Sequence, residues 1–412
     1  MTIEFSGQAE NRRGDIAPPV YLDNQSTTPM DPRVLDAMMP FFTERYGNPA
    51  SSIHAYGRDA GEAVDNARAQ VADLIGADPR EIVFTSGATE SNNLAIVGAA
   101  RFTPARRNHI VTLATEHKCV LESTRYLERE GFPVTILPVR SDGLVDLDAL
   151  AEAITDRTLL VSVMAAHNEI GVLQPLAEIG TLCRERGAYF HVDAAQGAGK
   201  IPLDVDAMNV DLMSVSGHKM YGPKGIGALY VRRRPRVRLA PLVHGGGQER
   251  GMRSGTLATP LIVGLGAAAA IAANEMTEES ERLGRLRDRL LDGLNRRIDG
   301  LVLAGAREPR LAGNLNLLFP DVEADALLTA LSDVAASTGS ACSTAAIEPS
   351  YVIRALGFDE AAARRAVRFA VGRFTTEAEI DRAIAAIADT VLRLQAGSVE
   401  DADQRAGSST AA

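Results

Sequence analysis

The chain has no tryptophan and only three cysteines, Cys119, Cys183 and Cys342, in 412 residues. Three scattered cysteines are too few for a disulfide framework, and their odd number leaves at least one thiol free. No cysteine or histidine has a neighbour at the spacing of a metal site, so we expect no structural metal. The sequence also contains no internal repeat.

Positive charge and long apolar runs are scarce as well. The formal net charge is -10 and the pI is about 5.3, so the chain has no general attraction for nucleic acid or an anionic membrane. No segment approaches the roughly 20 continuous apolar residues of a membrane span, and residues 1–19 contain no apolar signal-peptide core. We therefore expect no nucleic-acid partner, no membrane association and a cytoplasmic location.

What the chain does contain is an alternation of short runs rich in Val, Ile and Leu with helix-length amphipathic stretches. This alternation predicts an α/β fold, with a mostly parallel sheet covered by helices on both faces. The predicted strands are residues 81–85, 109–113, 134–137, 158–164, 189–192, 212–215 and 228–231. These seven runs predict a seven-stranded sheet.

From about Thr259 the pattern changes to long helices, at residues 261–274 and 278–298, then to a mixed stretch and a last helix at residues 377–395. This change predicts a second, smaller α+β domain. The predicted division is an N-terminal segment 1–28 that joins the smaller domain, a large domain 29–275, a small domain 276–396 and a disordered tail 397–412.

Two residues that follow predicted strands carry the main chemical signal. Lys219 lies in the run Ser-Gly-His-Lys-Met-Tyr-Gly-Pro-Lys-Gly, an irregular loop that a solvated lysine would not need. Asp193 ends an apolar strand, where an ionised carboxylate needs a cationic partner; a helix N-cap is the alternative interpretation. An amine for a Schiff base and a carboxylate for a pyridinium nitrogen are what a protein needs to hold pyridoxal phosphate.

Other polar residues follow predicted strands at the same edge of the sheet. The turn around Ala88 and Thr89 leads from a strand into a helix, whose free N–H groups can accept a phosphate, although an ordinary capped helix would look the same. Gln196 can donate to a ring oxygen. His117 begins a helix, where its ring can lie over a cofactor and move protons; spacing alone leaves a structural role equally open. Ligands of open α/β sheets bind at this edge, which favours one common site.

Cys342 lies in a run of small, mostly polar residues, 337–346. An exposed thiol that can swing is suited to attack a substrate and hand a group on, whereas Cys119 and Cys183 lie in helical sequence and are expected to be inert. The motif beginning at Gly264 formally matches a dinucleotide fingerprint, but it lies within a predicted helix and is rejected. The basic cluster 232–238 is interpreted as a solvated strand edge, with docking of an acidic partner as the alternative.

These residues together resemble the class I cysteine desulfurases of the NifS/IscS type, which are fold-type I pyridoxal-phosphate enzymes of the class-V aminotransferase family. The resemblance extends from about Val20 to Leu394. The matching motifs are residues 21–24, 47–49, 84–93, 115–118, 168–171, 191–196, 216–227, 244–256, 339–342 and 368–373.

The resemblance implies a role for each site residue. Lys219 forms the Schiff base, Asp193 pairs with the pyridinium nitrogen, Gln196 contacts the ring oxygen, and His117 stacks on the ring and moves protons. The implied phosphate ligands are Ala88, Thr89, Ser216 and His218, together with Thr256 of the partner subunit of a homodimer. The implied ligands of the substrate carboxylate are Asn168 and Arg368.

Cys342 is, by the same resemblance, the nucleophile. It takes the sulfur of L-cysteine as a persulfide, alanine is released, and the sulfur passes to an acceptor such as an iron–sulfur scaffold, where Cys342 transiently ligates the cluster. The enzyme is then a sulfurtransferase that serves iron–sulfur assembly or another sulfur pathway.

The chain departs from the family pattern at three positions near the cofactor: Ser26, His167 and Ala195 stand where alanine, asparagine and threonine are usual. The tail after Gln395 lacks the aromatic end of the iron–sulfur housekeeping members, which leaves the acceptor open. Two rival functions also stay open: a different pyridoxal-phosphate enzyme, namely an aminotransferase or a lyase for selenocysteine or cysteine sulfinate, and a catalytically silent scaffold.

Overall fold

The computed structural model describes residues 18–102, 106–339 and 349–409, with side chains described as far as residue 397. Its strands are β1 Val20–Tyr21, β2 Ile82–Thr85, β3 His109–Leu113, β4 Val134–Leu137, β5 Thr158–Met164, β6 Tyr189–Asp193, β7 Leu212–Ser216, β8 Gly227–Val231, β9 Val302–Leu303, β10 Asn314–Leu318, β11 Val334–Ala335 and β12 Ala366–Ala370. Its α-helices are α1 Pro32–Met38, α2 Pro40–Thr43, α3 Ala55–Leu74, α4 Ala88–Phe102, α5 Lys118–Arg129, α6 Leu147–Ala153, α7 Leu176–Arg186, α8 Thr259–Asn295, α9 Ala324–Ala330, α10 Tyr351–Ala355, α11 Glu360–Ala363 and α12 Glu377–Ser409.

A seven-stranded sheet forms the centre of the first region, in the order β2-β8-β7-β6-β5-β3-β4. The pairs from β4 to β7 are parallel, whereas β8 runs antiparallel to both of its neighbours. All seven residues of β5 are buried, as expected for a strand with both faces covered by helices. The predicted α/β class and seven-stranded, mostly parallel sheet are confirmed.

A second region is built on the antiparallel sheet β12-β10-β9. Its core consists of apolar side chains from that sheet and from α8, α9 and α12, including Leu317, Phe369 and Ile387. The chain start is part of this region, because β1 pairs with β11 and Val20 and Leu22 lie in the same core. The exact division into domains stays a prediction.

Helix α8 connects the two regions. Its first half packs with Leu265 and Ala269 in the core under the large sheet, and its second half packs with Leu290 and Leu294 in the core of the smaller region. The sequence analysis predicted two helices here; residues 275–277 contain neither Gly nor Pro, so nothing interrupts the helix. By length and composition alone α8 could cross a membrane, but its buried residues contact the protein's own cores.

The structure explains two further motifs of the sequence, the glycines that begin at Gly264 and the basic cluster 232–238. Gly264 and Gly266 lie inside α8, where a Cβ on Gly266 would come within 2.6 Å of the Ala67 Cα atom; close helix packing therefore requires these glycines. The basic cluster does not follow a sheet edge, because β8 lies between β2 and β7. Its first residue, Arg232, is buried and donates to Asp206, so the solvated-edge interpretation is wrong for that residue.

The C-terminal helix is longer than expected. α12 continues to Ser409, whereas the sequence analysis placed a disordered tail at 397–412. Residues 399–406 are mostly good helix formers, and extending an existing helix costs little once its first turns are fixed. The predicted tail and the structure therefore differ over this segment.

Candidate active site

A cavity of about 710 Å³ opens at the carboxyl ends of the central strands. β2, β6 and β7 end at its wall, and the turn into α4 and the start of α5 complete that side. It brings together the residues that the sequence analysis singled out: Ala88, Thr89, His117, Asn168, Asp193, Gln196, Ser216, His218, Lys219 and Arg368. Lys219 and Asp193 therefore share one pocket.

Lys219 is presented by a tight turn directly after β7. Gly217–Lys219 forms a short 3-10 turn, and a Cβ on Gly217 would come within 2.8 Å of the Pro223 carbonyl oxygen. The Lys219 Nζ atom donates to the backbone oxygens of Gln25 and Ser26, at 2.6 Å each. The amine is thus held by two neutral carbonyls of the chain start, at the wall of the cavity.

Asp193 is 5% exposed and accepts two hydrogen bonds, one on each carboxylate oxygen. Asn92 Nδ2 donates to Oδ2 at 2.7 Å, and the backbone N–H of Ala195 donates to Oδ1 at 2.9 Å. The second contact, from Ala195, is the kind of bond that a helix N-cap accepts. The N-cap interpretation and the interpretation as a buried carboxylate therefore each describe part of the surroundings of Asp193. A carboxylate that is buried and only partly satisfied favours a cationic ligand group.

His117 is the N-cap of α5, as expected from the sequence. Its Nδ1 atom accepts from the backbone N–H of Cys119 at 3.2 Å and lies 3.0 Å from the Cys119 Sγ atom. Cys119 also lines the cavity, so the expectation that it is inert has no support from its position. Cys183, in contrast, is buried in the core, where burial raises the pKa of its thiol.

The start of α4 forms one end of the cavity. Ala88 and Thr89 belong to its first turn, whose backbone N–H groups have no acceptor within the helix. Gly227 of β8 packs against this turn, since a Cβ there would come within 2.7 Å of the Gly87 Cα atom. Burial, together with the charge of Lys219, lowers the pKa of His218 to about 4, so its ring is a neutral donor at pH 7.

Arg368 reaches the opposite wall from β12 of the smaller region. Its Nη2 atom donates to Asp23 Oδ1 at 2.7 Å, to Ser26 Oγ at 2.6 Å and to Ser337 Oγ at 2.8 Å, and its Nη1 atom donates to the Asn168 carbonyl at 2.7 Å. Ser26, one of the three departures from the family pattern, therefore contacts the guanidinium directly. A guanidinium fixed in this way is suited to a carboxylate ligand.

Gln196 is held from two sides. Its Nε2 atom donates to the Gln25 carbonyl at 2.8 Å, and its Oε1 atom accepts from Lys200 Nζ at 3.1 Å. Burial, followed by the positive charge of Lys219, lowers the pKa of Lys200 to about 7. These partners fix the orientation of the Gln196 amide, with Nε2 towards Gln25 and Oε1 towards Lys200.

His167, the second departure, is buried beside Asn168 and has a fixed neutral form. Its Nε2 atom donates to the Thr115 carbonyl at 2.7 Å, and its Nδ1 atom accepts from the Glu169 backbone N–H at 3.0 Å. Burial lowers its pKa to about 4. The third departure, Ala195, contributes only the backbone N–H already described on Asp193.

Two predicted site residues lie elsewhere or outside the description. Thr256 lines a separate cavity, with Asn48 and Arg68, and not the cavity of Lys219 in its own chain. Cys342 lies outside the residues that the structure describes.

Sequence reasoning missed three residues that support the site. Gln25 accepts from both Lys219 and Gln196, Asn92 donates to Asp193, and Cys119 contacts His117. A signal existed for Asn92, because it follows Ala88 by four residues and so shares its face of α4. The contacts of Gln25 join parts of the chain more than 170 residues apart, and no local pattern announces them.

Comparison with known proteins gives consistent relatives. A family model described as aminotransferase class V matches residues 20–383. The cysteine desulfurase IscS of Rickettsia bellii is 57% identical over 377 residues, covering 92% of both chains, and that of Rickettsia rickettsii is 57% identical over 378 residues with the same coverage.

Solved structures agree with these relatives. A NifS-like protein has a TM-score of 0.84 at 38% identity, covering 90% of this chain and 98% of its own. A structure described as SspA in complex with cysteine has a TM-score of 0.77 at 39% identity, covering 86% and 99%. DndA from Streptomyces lividans has a TM-score of 0.73 at 41% identity, covering 84% and 97%.

Proposed function

The chain belongs to the aminotransferase class-V family, and from this premise we propose which of its residues carry out the reaction of a pyridoxal-phosphate-dependent cysteine desulfurase. The substrate is L-cysteine, and the sulfur passes to an acceptor. The observation that carries the assignment of residues is the single cavity lined by Lys219, Asp193, His117 and Arg368. The relatives favour this activity over the aminotransferase, lyase and scaffold alternatives.

The residues present fit pyridoxal phosphate. The cavity offers an amine at Lys219, a buried carboxylate at Asp193 with a free side for a cation, and a flat side chain at His117. The first turn of α4 offers backbone N–H groups, and Ser216, Thr89 and His218 offer polar side chains around it. Amine, carboxylate, aromatic side chain and anion site match the four functional parts of the cofactor.

Pyridoxal phosphate, when bound, supplies a covalent link to the substrate amine and a sink for electrons from its α carbon. Lys219 would hold the cofactor through its amine, and the Gln25 and Ser26 carbonyls are the acceptors that would orient this amine when it is not bonded to the cofactor. Asp193 keeps the ring nitrogen protonated, because Asn92 and Ala195 hold its carboxylate in place. Gln196 donates to the ring oxygen.

Substrate orientation and proton transfer fall to other side chains. Arg368 and Asn168 bind the cysteine carboxylate, and the bonds to Asp23 and Ser337 keep the guanidinium in position. His117 would stack on the cofactor ring and move a proton at its Nε2 atom, because its Nδ1 atom accepts the backbone bond from the first turn of α5.

Cys342 is the nucleophile that receives the sulfur of L-cysteine. Its thiolate attacks the sulfur of the substrate, the C–S bond breaks, and a persulfide stays on Cys342 while alanine leaves. Support comes from Gly339, which lines the cavity: consecutive Cα atoms are 3.8 Å apart, so Cys342 is connected to the cavity wall by a span of at most about 11 Å.

The assembly is a homodimer in which Thr256 of the partner subunit completes the phosphate site. Thr256 lines a cavity together with Asn48 and Arg68. The segment around Asn48, residues 42–53, exposes the apolar side chains of Phe42, Tyr46 and Ile53, a surface of the kind that interfaces cover.

The acceptor of the sulfur is an iron–sulfur scaffold, on which Cys342 transiently ligates the cluster. The enzyme works in the cytoplasm, without nucleic acid, membrane or resident metal. The domain limits 1–28, 29–275 and 276–396 belong to the same proposal.

The test uses the full chain loaded with pyridoxal phosphate and the variant Cys342→Ala. We expect alanine release from L-cysteine to collapse in the variant, while the visible absorbance of the bound cofactor stays unchanged. In the native chain, mass spectrometry after a single turnover should find the extra sulfur on the peptide that contains Cys342.

Cys183→Ala is the matched control, because Cys183 is buried in the core and remote from the cavity wall. Its alanine release should equal that of the native chain. Full desulfurase activity in Cys342→Ala would contradict the persulfide mechanism, and a chain that takes up no cofactor would contradict the assignment of Lys219 and Asp193.

A further inference from the structure

Cys119 occupies a position in the site that neither its sequence context nor the reaction above explains. It lies in the first turn of α5 and lines the cavity. Its Sγ atom is 3.0 Å from His117 Nδ1 and 3.1 Å from Asn92 Nδ2, and Asn92 Nδ2 is 2.7 Å from Asp193 Oδ2. A continuous chain of contacts therefore runs from Asp193 through Asn92 and Cys119 to His117.

The direction of the first two contacts follows from the chemistry of Asn92. An ionised carboxylate only accepts hydrogen bonds, so the group that faces Asp193 is the NH₂ of Asn92. That nitrogen carries two hydrogens, one for Asp193 Oδ2 and one for Cys119 Sγ. The Asn92 Oδ1 atom has no partner among the described residues; exchanging it with the nitrogen would place oxygen against carboxylate.

The last contact follows from the position of His117. Its Nδ1 atom accepts the backbone N–H of Cys119, as the cap of α5, so it carries no proton in the neutral ring. The Cys119 thiol, which already accepts from Asn92, directs its S–H towards the same nitrogen. Two donors on Nδ1 leave the ring proton on Nε2.

We propose that Cys119 is a positioning residue of the desulfurase reaction: its thiol joins Asp193 and Asn92 to His117 and, as a second donor beside the backbone N–H of residue 119, favours the Nε2-protonated form of the His117 imidazole. His117 and Asp193, which would both contact the cofactor ring, are thereby joined by one network. The proposal rests on the proposed function for the role of His117, but the contact itself is between residues of the chain.

The test compares Cys119→Ala, which removes the thiol, with Cys119→Ser, which keeps a donor and acceptor at the same place, and with Cys183→Ala as the control. ¹⁵N spectra of histidine-labelled full chain, with and without pyridoxal phosphate, report the tautomer of each ring, and His117→Gln assigns the His117 signals. We expect the Nε2-protonated form to predominate in the native chain, in Cys119→Ser and in Cys183→Ala. In Cys119→Ala the backbone N–H of residue 119 is the one remaining donor to Nδ1, so we expect a larger share of the Nδ1-protonated form than in the native chain.

Kinetics give the second readout. In Cys119→Ala we expect kcat to fall about three- to tenfold, the equivalent of one lost hydrogen bond, with KM for L-cysteine nearly unchanged. Cys119→Ser should restore most of the loss.

Identical His117 tautomers and identical kcat in Cys119→Ala and the native chain would overturn the proposal, as would equal losses in Cys119→Ala and Cys119→Ser. Failure of the proposed function looks different: the native chain itself would release no alanine from L-cysteine, while the spectra of the cofactor-free chain would still decide whether Cys119 fixes the His117 ring.

Discussion

The two regions of the molecule differ in where they bury polar side chains. In the large sheet, Ser162, His191 and Ser214 lie on three neighbouring strands, are fully buried and bond to one another. In the smaller sheet, the buried polar side chains Asn314, Asn316 and Arg368 bond to Gln25, Asn168 or Glu169, while the apolar residues that alternate with them pack in the core. The comparison teaches that buried polar groups concentrate where chemistry is done, while the smaller region supplies a rigid apolar support.

β12 shows how the smaller region combines both properties. Successive side chains of a strand point to opposite faces, so Val367 and Phe369 pack in the apolar core while Arg368, between them, faces the cavity. One strand thus ties the position of a substrate ligand to the packing of the core behind it.

The largest effect should come from Lys219, on the polar side of the comparison. In Lys219→Arg the positive charge remains, but a guanidinium does not form the imine that holds the cofactor. We expect alanine release to fall by about 10²–10⁴-fold or more, a range typical of lost proton-transfer groups, and the visible absorbance of bound cofactor to change. A near-native rate would contradict the assignment of Lys219 and of the other polar residues that line the cavity.

Asp193→Asn should have the next largest effect. The variant keeps the size of the side chain and removes the charge that pairs with the ring nitrogen, so we expect kcat to fall about 10²–10³-fold, as when other stabilising groups are removed from active sites. Steady-state kinetics with saturating cofactor measure this loss. Asn92→Ala should give a smaller loss in the same direction, because it removes only one bond to the carboxylate.

Leu317→Ala probes the apolar side of the comparison. Leu317 is 0% exposed in the core of the smaller region, and we expect a loss of about 2–5 kcal/mol in the free energy of unfolding. Urea unfolding measures this loss, with the exposed Leu392→Ala as a control expected to change stability within about 0.5 kcal/mol. Folded Leu317→Ala should still show the absorbance of bound cofactor; loss of that absorbance would mean that the two regions are not separable in function.

The smallest effect concerns the buried histidine behind the cavity. Burial lowers the pKa of His191 to about 4, from 6.5 for an ordinary histidine. Between these values the unfolded chain binds a proton that the folded chain does not, so the free energy of unfolding falls as the pH falls through this window. We expect His191→Gln to remove about 1–3 kcal/mol of the pH dependence between pH 7 and pH 4.5.

Urea unfolding at a series of pH values tests the prediction for His191. His167 and His218 contribute to the slope in the same direction, because their pKa values are also lowered to about 4; the variant should therefore reduce the slope and not abolish it. His244→Gln, a change at an exposed position, should retain the native slope. An unchanged slope in His191→Gln would show that this buried histidine does not oppose protonation.

Much of the large region could be predicted from the sequence. Strands buried on both faces are continuous apolar runs, so β3 and β5 were predicted with their observed ends. The ends of β4 were also predicted correctly, although it is a half-exposed edge strand. The polar residues that follow the predicted strands were predicted to meet at one edge of the sheet, and Thr89, His117, Asn168, Asp193, Gln196, Ser216, His218 and Lys219 line one cavity. Of the residues that only the resemblance implied, Arg368 lines this cavity, Thr256 does not, and Cys342 lies outside the described residues.

What the sequence did not reveal depends on contacts between distant parts of the chain. Gln25 gives no local signal, yet its carbonyl receives both Lys219 and Gln196. Cys119 reads as an ordinary helical residue until α4 and α5 pack side by side and bring Asn92 to its sulfur. The sequence analysis divided α8 into two helices because the apolar residues of its first half pack in one core and those of its second half pack in another.

The 37 residues of α8 form a rod of about 55 Å, at 1.5 Å per residue. Because each end of α8 is fixed in a different core, its length sets the distance between the sheet that carries Lys219 and the sheet that carries Arg368. A single residue inserted near Met276 would turn one end against the other by about 100°. The rotational phase of α8 is therefore one of the dimensions that set the geometry of the active site.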